Sequence, residues 1–160
     1  MRNKGLRYLI QGAIIAALYV ALTLIFAPIS FGAVQVRVSE MLCVLPFFTP
    51  AAVPGLFIGC LIGNTMGPNL GIWDIVAGSL ATLLSAFLAS RIKNKWLVPL
   101  PAVLINAVVV GILLNQVLNL PLWASMLSVG VGQVVACYVL GLPLLLVLQR
   151  YGKNIFKADK

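Results

Sequence analysis

Stretches without a charged side chain dominate the chain and predict membrane-spanning helices. They cover residues 8–36, 41–73, 75–90 and 96–149. A transmembrane helix takes roughly 20 predominantly apolar residues, and a proline or a polar segment commonly ends it. The first and third stretches therefore predict one helix each. The fourth predicts two helices, because the polar segment Asn115–Pro121 divides it.

The second stretch is ambiguous, because Pro46, Pro50 and Pro54 interrupt it. It could form one kinked helix or two short ones. Basic residues in short loops favour the cytoplasmic side, and they form three clusters here: Arg2/Lys4/Arg7, Arg91/Lys93/Lys95 and Arg150/Lys153/Lys157/Lys160. All three clusters lie on one side only if an even number of helices separates each pair. That condition requires two helices in the ambiguous stretch.

The pattern thus predicts an all-α integral membrane protein, a compact bundle of six transmembrane helices with cytoplasmic N- and C-termini. We expect residues 1–160 to form one domain, with helices at approximately 8–27, 39–51, 53–67, 72–90, 97–115 and 122–149. The core of a signal peptide is usually about 7–15 residues long. The first apolar stretch is longer, so we expect an uncleaved first helix.

Amino-acid composition supports a membrane protein. Apolar residues make up 62% of the chain and charged residues 9%, against about 45–50% and about 25% in soluble domains. A net charge of +8 often indicates nucleic-acid binding, but here the basic residues cluster between apolar stretches and indicate topology instead. The chain has no histidine, which excludes catalysis that depends on one.

The sequence also lacks the motifs of common enzymatic and metal sites. It contains no G-x-x-x-x-G-K-[ST] phosphate loop, no H-E-x-x-H or G-x-S-x-G motif and no C-x-x-C pair. We therefore expect a protein that is not an enzyme and has no metal site or cofactor. Cys43, Cys60 and Cys137 lie in apolar stretches, and we expect them to be small buried side chains.

Six helices place three connections on the outer side, at about residues 28–39, 64–71 and 115–121. The first alternates valines with Gln35, Arg37 and Ser39, a pattern typical of a strand or of a lid over a site. The other two resemble each other, since both carry an Asn-Leu-x-x-Trp segment and a further Asn upstream. Tryptophans at the membrane interface and asparagines in turns are the alternative explanation.

Arg37, Glu40 and Asp74 are the only charged residues away from the basic clusters and the C-terminal tail. Carboxylates within a membrane span are costly and usually face a cavity or pair with another charge. A pair between Arg37 and Glu40, or a favourable position of Asp74 in the first turn of its helix, would also explain them. The predicted substrate-binding residues are Arg37, Glu40, Asn64, Asn69, Trp73, Asp74, Asn115, Asn119, Trp123 and Gln133, the last of which could equally form an interhelical hydrogen bond.

Small residues at four-residue spacing form two stripes. One consists of Ala13, Ala17 and Ala21 in the first helix, and the other of Gly55, Gly59, Gly63 and Gly67 in the third. Helices in lipid associate through such residues. Either stripe could seal the bundle, which leaves open that the other contacts a separate protein.

The segment FGAVQVRVSE at residues 31–40, followed by LPFF at 45–48, resembles the QueT family of queuosine-precursor transporters. The segments GCLIGN at 59–64 and GIWD at 71–74 resemble it too. That family belongs to the substrate-binding S components of energy-coupling factor (ECF) transporters. The resemblance spans nearly the whole chain and implies six helices with cytoplasmic ends in a bacterial plasma membrane.

The resemblance also implies partners and a ligand. The partners are a transmembrane coupling protein, met by the Ala13/Ala17/Ala21 stripe, and two cytoplasmic ATPases. The ligand is a 7-deazaguanine in its 7-cyano or 7-aminomethyl form, or queuine. Under this hypothesis Glu40 accepts from the guanine N1–H and exocyclic amine, Asp74 pairs with an aminomethyl ammonium, and Trp73 or Trp123 stacks on the ring.

Two alternatives stay open at this point. The chain could be an S component for another vitamin-like solute. It could also be a membrane protein without a transport function, namely a structural or interaction subunit or a membrane enzyme. Neither alternative involves nucleic acid.

Overall fold

The computed structural model describes residues 4–31, 35–68 and 71–151, and every regular element within them is helical. The elements are α1 (Lys4–Ile25), the short α2 (Ala27–Ser30), a 3-10 helix (Val38–Phe47), α3 (Ala52–Met66), α4 (Ile72–Arg91), α5 (Leu100–Leu118), α6 (Leu122–Val134), a π-helical segment (Val135–Gly141) and α7 (Leu142–Tyr151). The last three elements follow one another without a break as a helix of 30 residues. The expected all-α fold is confirmed to this extent.

Four of these helices are long and apolar enough to cross a membrane, namely α1, α4, α5 and the continuous helix Leu122–Tyr151. The 3-10 helix and α3 are shorter apolar helices. They divide the ambiguous second stretch in two, because the chain leaves the 3-10 helix at Phe47 and turns around Pro50 before α3 begins. Ten residues at the 3-10 rise of about 2.0 Å reach about 20 Å, which is farther than they would reach in an α-helix.

In its described residues, the alternating segment before the 3-10 helix does not form the strand that its pattern suggested. Residues 27–30 form a helical turn, residues 35–37 are irregular, and residues 32–34 lie outside the described part of the chain. The Val36 N–H donates to the Ile29 carbonyl over 3.1 Å, so the chain folds back on its own turn. The alternation is inverted relative to a soluble protein, since Gln35, Arg37 and Ser39 are buried whereas Val36 and Val38 are half-buried.

The glycine stripe of α3 packs inside the bundle against α1. A Cβ at Gly55 would lie 2.7 Å from the Gly12 carbonyl oxygen, and a Cβ at Gly59 would lie 2.7 Å from Tyr19 Cβ. Only hydrogen atoms fit at these positions, so the two parallel helices approach backbone to backbone. The alanine stripe of α1, by contrast, is exposed on the opposite side of that helix at Ala13, Ala17 and Ala21.

Helix directions alternate in the rest of the bundle. The Asn64 side chain of α3 contacts the Asp74 backbone of α4, and Gly111 of α5 packs on Met126 of α6, so both pairs are antiparallel. The connections that lead into the 3-10 helix, into α4 and into α6 therefore lie at one end, which we call the Arg37 end. The connections that lead into α3 and α5 lie at the other, which we call the Arg91 end.

Candidate functional site

A buried ion pair lies near the Arg37 end. Arg37 Nη2 is 3.4 Å from Asp74 Oδ1, and Arg37 Nη1 donates to Asn64 Oδ1 over 3.2 Å. Asn64 Nδ2 in turn donates to the Asp74 carbonyl over 3.2 Å. All three residues are at most 3% exposed. Asp74, which has no basic neighbour along the chain, thus pairs with an arginine 37 positions earlier.

The surroundings of Arg37 favour its charged form. The Asp74 carboxylate lies 3.4 Å from the guanidinium, and an arginine side chain keeps its charge in proteins. The guanidinium carbon also lies 5.4 Å from the centroid of the Phe31 ring, a cation–π distance. Arg37 is therefore a fixed positive charge within the bundle.

Glu40 forms a second group of contacts on the 3-10 helix. The Tyr19 hydroxyl of α1 donates to Glu40 Oε1 over 2.6 Å, and the Thr82 hydroxyl of α4 donates to the same oxygen over 3.4 Å. The pairing of Arg37 with Glu40 that their spacing suggested is not formed. Each of the two charges finds its partners on other helices instead, because both side chains point into the bundle.

Two cysteines connect these groups into one network. Cys60 Sγ lies 3.3 Å from the Thr82 hydroxyl and 3.6 Å from Asn64 Nδ2. Cys137 Sγ lies 3.4 Å from Gln133 Oε1 and 3.6 Å from the Glu40 carbonyl oxygen. Both thiols are buried, as expected, but they take part in the polar network rather than in purely apolar packing.

The two irregular helices meet at this network. Gly141 of the π-helical segment packs on the 3-10 helix, where an added Cβ would lie 3.1 Å from the Met41 carbonyl oxygen. A Cβ at Gly132 would clash with the Gln35 carbonyl. Because glycine has no Cβ, the segment before Arg37 can lie directly on α6. π-helical segments are rare and frequently occur at functional sites.

The structure does not bring the remaining predicted site residues into this network. The side chains of Trp73 and Trp123 are each 70% exposed. Asn115 Nδ2 donates to the Leu120 carbonyl over 2.6 Å, and Asn119 ends α5 with a left-handed φ of 54°. These two asparagines form the turn between α5 and α6. Asn69 lies outside the described residues.

An open groove of about 400 Å³ lies beside Trp73, between α4 and α5. Apart from Gln116, its other lining residues are apolar: Ala77, Val109, Ile112, Leu113 and Val117. The groove therefore offers few groups for recognising a polar ligand. In the part of the chain that the structure describes, no three His, Cys, Asp or Glu side chains come together as a metal site.

Several buried polar residues, two in the network and one outside it, escaped the sequence analysis. Tyr19 and Thr82 lie within apolar helices. Tyrosine and threonine are common there both in the core and on the lipid-facing side, so nothing in the sequence distinguishes these two as members of a polar network. Asn106 on α5 is 3% exposed. A strongly polar amide within an apolar span is unusual, and this signal could have identified Asn106.

Comparison with known proteins identifies relatives of the chain. It matches the family described as QueT transporter over residues 9–150. A protein of Lactococcus lactis subsp. cremoris (strain MG1363), named Queuosine precursor transporter QueT, is 40% identical over 91 residues. This segment represents 52% of the chain and 52% of that protein, so the match spans about half the length of the relative. No solved structure matches the chain.

The family match and the long apolar helices agree with each other. The match covers most of the chain, and four helices are long and apolar enough to cross a membrane. The expected location, as a multi-pass protein of the cell membrane, is therefore confirmed. The family resemblance noted in the sequence is also confirmed, and the chain belongs to the QueT transporter family.

Proposed function

We propose that the chain is the substrate-binding S subunit of an ATP-driven ECF-type importer and that it captures a queuosine precursor of the 7-deazaguanine class. The observation that carries this proposal is the buried polar network around Glu40 in a chain of a transporter family. The name of the Lactococcus relative, a queuosine precursor transporter, supports the substrate class.

Glu40 is the central residue of the proposed site. A carboxylate accepts two parallel hydrogen bonds, which suits the guanine N1–H and exocyclic amine. Tyr19 and Thr82 donate to Oε1 and hold the carboxylate in place. Arg37 and Asp74 close the site toward the Arg37 end. Asp74 also pairs there with the ammonium group of a 7-aminomethyl ligand. Asn64 and Gln133 belong to the network and line the proposed site. The proposed entrance is formed by residues outside the network, namely Trp73, Asn115, Asn119 and Trp123. Asn69 stays a predicted substrate-binding residue.

The proposed topology has six membrane spans in a single domain of residues 1–160, with both termini in the cytoplasm. The 3-10 helix and α3 are the second and third spans. The Arg37 end then faces outward, and residues 28–39 lie over the site as a lid. The proposal rests on the even number of helices between the basic clusters.

The energy for import comes from partners in this proposal, because the sequence has no phosphate-binding loop of its own. The exposed stripe of Ala13, Ala17 and Ala21 contacts a transmembrane coupling protein, which carries two cytoplasmic ATPases. A flat stripe of small residues permits a close helix–helix contact in lipid.

Ligand binding by the purified chain in nanodiscs tests the substrate class. We expect isothermal titration calorimetry to show binding of 7-cyano- or 7-aminomethyl-7-deazaguanine, with competition by guanine but not by adenine, riboflavin or thiamine. Glu40→Gln should weaken binding at least tenfold. Thr49→Val removes a buried hydroxyl that contacts Gln11 near the Arg91 end and serves as the control, with affinity unchanged. Binding of a vitamin in preference to the deazaguanines would contradict the proposed substrate.

Co-purification tests the partners. We expect the tagged chain, expressed in a host that carries the ATPases and coupling protein, to retain them, and Ala17→Trp to lose them. Val108→Trp places the same indole on an exposed face of α5, and it should retain them. Equal retention by both variants would exclude the alanine stripe as the contact.

A further inference from the structure

Asn106 presents a buried hydrogen-bond donor that the fold does not use. The residue lies on α5 and is 3% exposed. Its Nδ2 atom has no hydrogen-bond partner among the residues that the structure describes. A buried donor without a partner destabilises a fold, whereas an apolar side chain of similar shape does not. The amide is therefore unfavourable for stability alone.

Asn106 lies at the same depth as three other buried polar residues. Cys43, Ala89, Ala102 and Cys137 belong to one apolar cluster. One helical turn from them toward the Arg37 end, on the 3-10 helix, α4, α5 and α6, lie Glu40, Ser85, Asn106 and Gln133 respectively. All four polar residues are buried. They form a polar layer, defined by these four residues, next to the apolar cluster.

Contacts between the helices support this arrangement. Cys137 links two members of the layer, since its Sγ contacts the Gln133 side chain and the Glu40 carbonyl. On the antiparallel pair α5 and α6, a Cβ at Gly130 would lie 3.6 Å from Ala107 Cβ, which places Asn106 beside the turn of Gln133. The layer thus joins a carboxylate on one side to amides on another.

We propose that Asn106 is a specificity-determining residue of the binding site and that its Nδ2 donates to the 6-carbonyl oxygen of a guanine-type ligand. This inference rests on the proposed function. The 6-carbonyl is adjacent to the N1–H and exocyclic amine that Glu40 accepts, so a carboxylate and an amide donor in one layer complement this edge of the base. An adenine-type base presents an amino donor at the same position and leaves the Asn106 donor unpaired.

The variants Asn106→Leu and Ser125→Ala test this role. Ser125 on α6 is also 3% exposed, and its Oγ also has no partner among the described residues, but it lies two helical turns from Gln133. It is therefore a matched control for removing a buried polar group outside the layer. With 7-aminomethyl-7-deazaguanine as the probe, we expect Asn106→Leu to weaken binding at least about tenfold, and Ser125→Ala to leave it unchanged.

Two further measurements separate a ligand contact from a structural role. The ligand-free Asn106→Leu variant should melt at the same temperature as the unaltered protein or higher. The unaltered protein should also prefer the 6-oxo ligand to its 6-thio analogue, because sulfur is the weaker acceptor, and Asn106→Leu should lose most of that preference.

Unchanged affinity of Asn106→Leu, or a lower melting temperature without ligand, would overturn the role of Asn106. Failure of the unaltered protein to bind any 7-deazaguanine would instead overturn the proposed function. Even without ligand binding, a lower melting temperature of Asn106→Leu would show that the amide supports the fold and would overturn its assignment as a donor that the fold does not use.

Discussion

The Tyr19 hydroxyl donates a hydrogen bond of 2.6 Å to Glu40 Oε1 and so joins α1 to the 3-10 helix. Tyr19 also lies at one of the close approaches of α3 to α1, since a Cβ at Gly59 would lie 2.7 Å from Tyr19 Cβ. The same side chain therefore contributes to helix packing through its ring and to the polar network through its hydroxyl. Changes to the α1–α3 contact should affect the network for this reason.

Tyr19→Phe separates these two contributions, because it keeps the ring and removes the hydroxyl. We expect it to destabilise the protein by about 1–3 kcal/mol, since a buried carboxylate loses a donor. The measurement is thermal unfolding in detergent. Tyr8→Phe is the control, because the Tyr8 hydroxyl makes only a long, exposed contact of 3.5 Å with the Pro50 carbonyl. Equal stability of the two variants would show that the Tyr19 hydroxyl is dispensable.

Arg37 and Asp74 should be energetically coupled. Arg37→Gln or Asp74→Asn alone leaves a buried charge without its partner, which costs about 3–5 kcal/mol. The double variant leaves neither charge, so we expect it to be more stable than the sum of the single effects predicts. Unfolding of all four proteins gives the coupling energy. Strict additivity would mean that the pair contributes nothing as a pair.

Gly59→Ala should separate α1 from α3. The new Cβ would lie 2.7 Å from Tyr19 Cβ and 3.0 Å from the Ala16 carbonyl oxygen, so the helices must move apart. We expect a loss of about 1–3 kcal/mol in thermal unfolding. Gly130→Ala is the control, because its Cβ would make an ordinary contact of 3.6 Å with Ala107. A destabilisation at Gly130 as large as that at Gly59 would contradict the assigned packing.

Cysteine labelling tests the proposed topology in intact cells. The native cysteines are buried and should react little with a membrane-impermeant maleimide. We expect Leu120→Cys at the Arg37 end to be labelled from outside, and Lys93→Cys at the Arg91 end to be labelled only after the cells are opened. Both positions are exposed. Labelling of Lys93→Cys from outside would refute six spans with cytoplasmic ends.

The positions of the helices could be predicted from charge-free stretches, because the cost of burying charge in lipid limits where polar residues occur. The expected helix at residues 72–90 corresponds closely to α4, Ile72–Arg91. The 3-10 winding of Val38–Phe47 could not be predicted, because 3-10 runs longer than about three or four residues are uncommon and the same apolar pattern fits an α-helix.

The candidate site could be predicted only in part. Glu40, Asp74 and Arg37 stood out because charges are rare in an apolar chain. Their partners did not, since the ion pair joins residues 37 positions apart and the Tyr19–Glu40 bond joins residues 21 positions apart. The short repeat around Trp73 and Trp123 did not indicate the polar network, because tryptophans are enriched at both interfaces of membrane proteins.

The 3-10 helix is longer than an α-helix of the same ten residues would be. An α-helix of Val38–Phe47 would end about 5 Å short of the distance that this segment spans, nearly one α-helical turn. The 3-10 winding therefore keeps Arg37 and Glu40 level with their partners Asp74 and Tyr19 on the neighbouring helices.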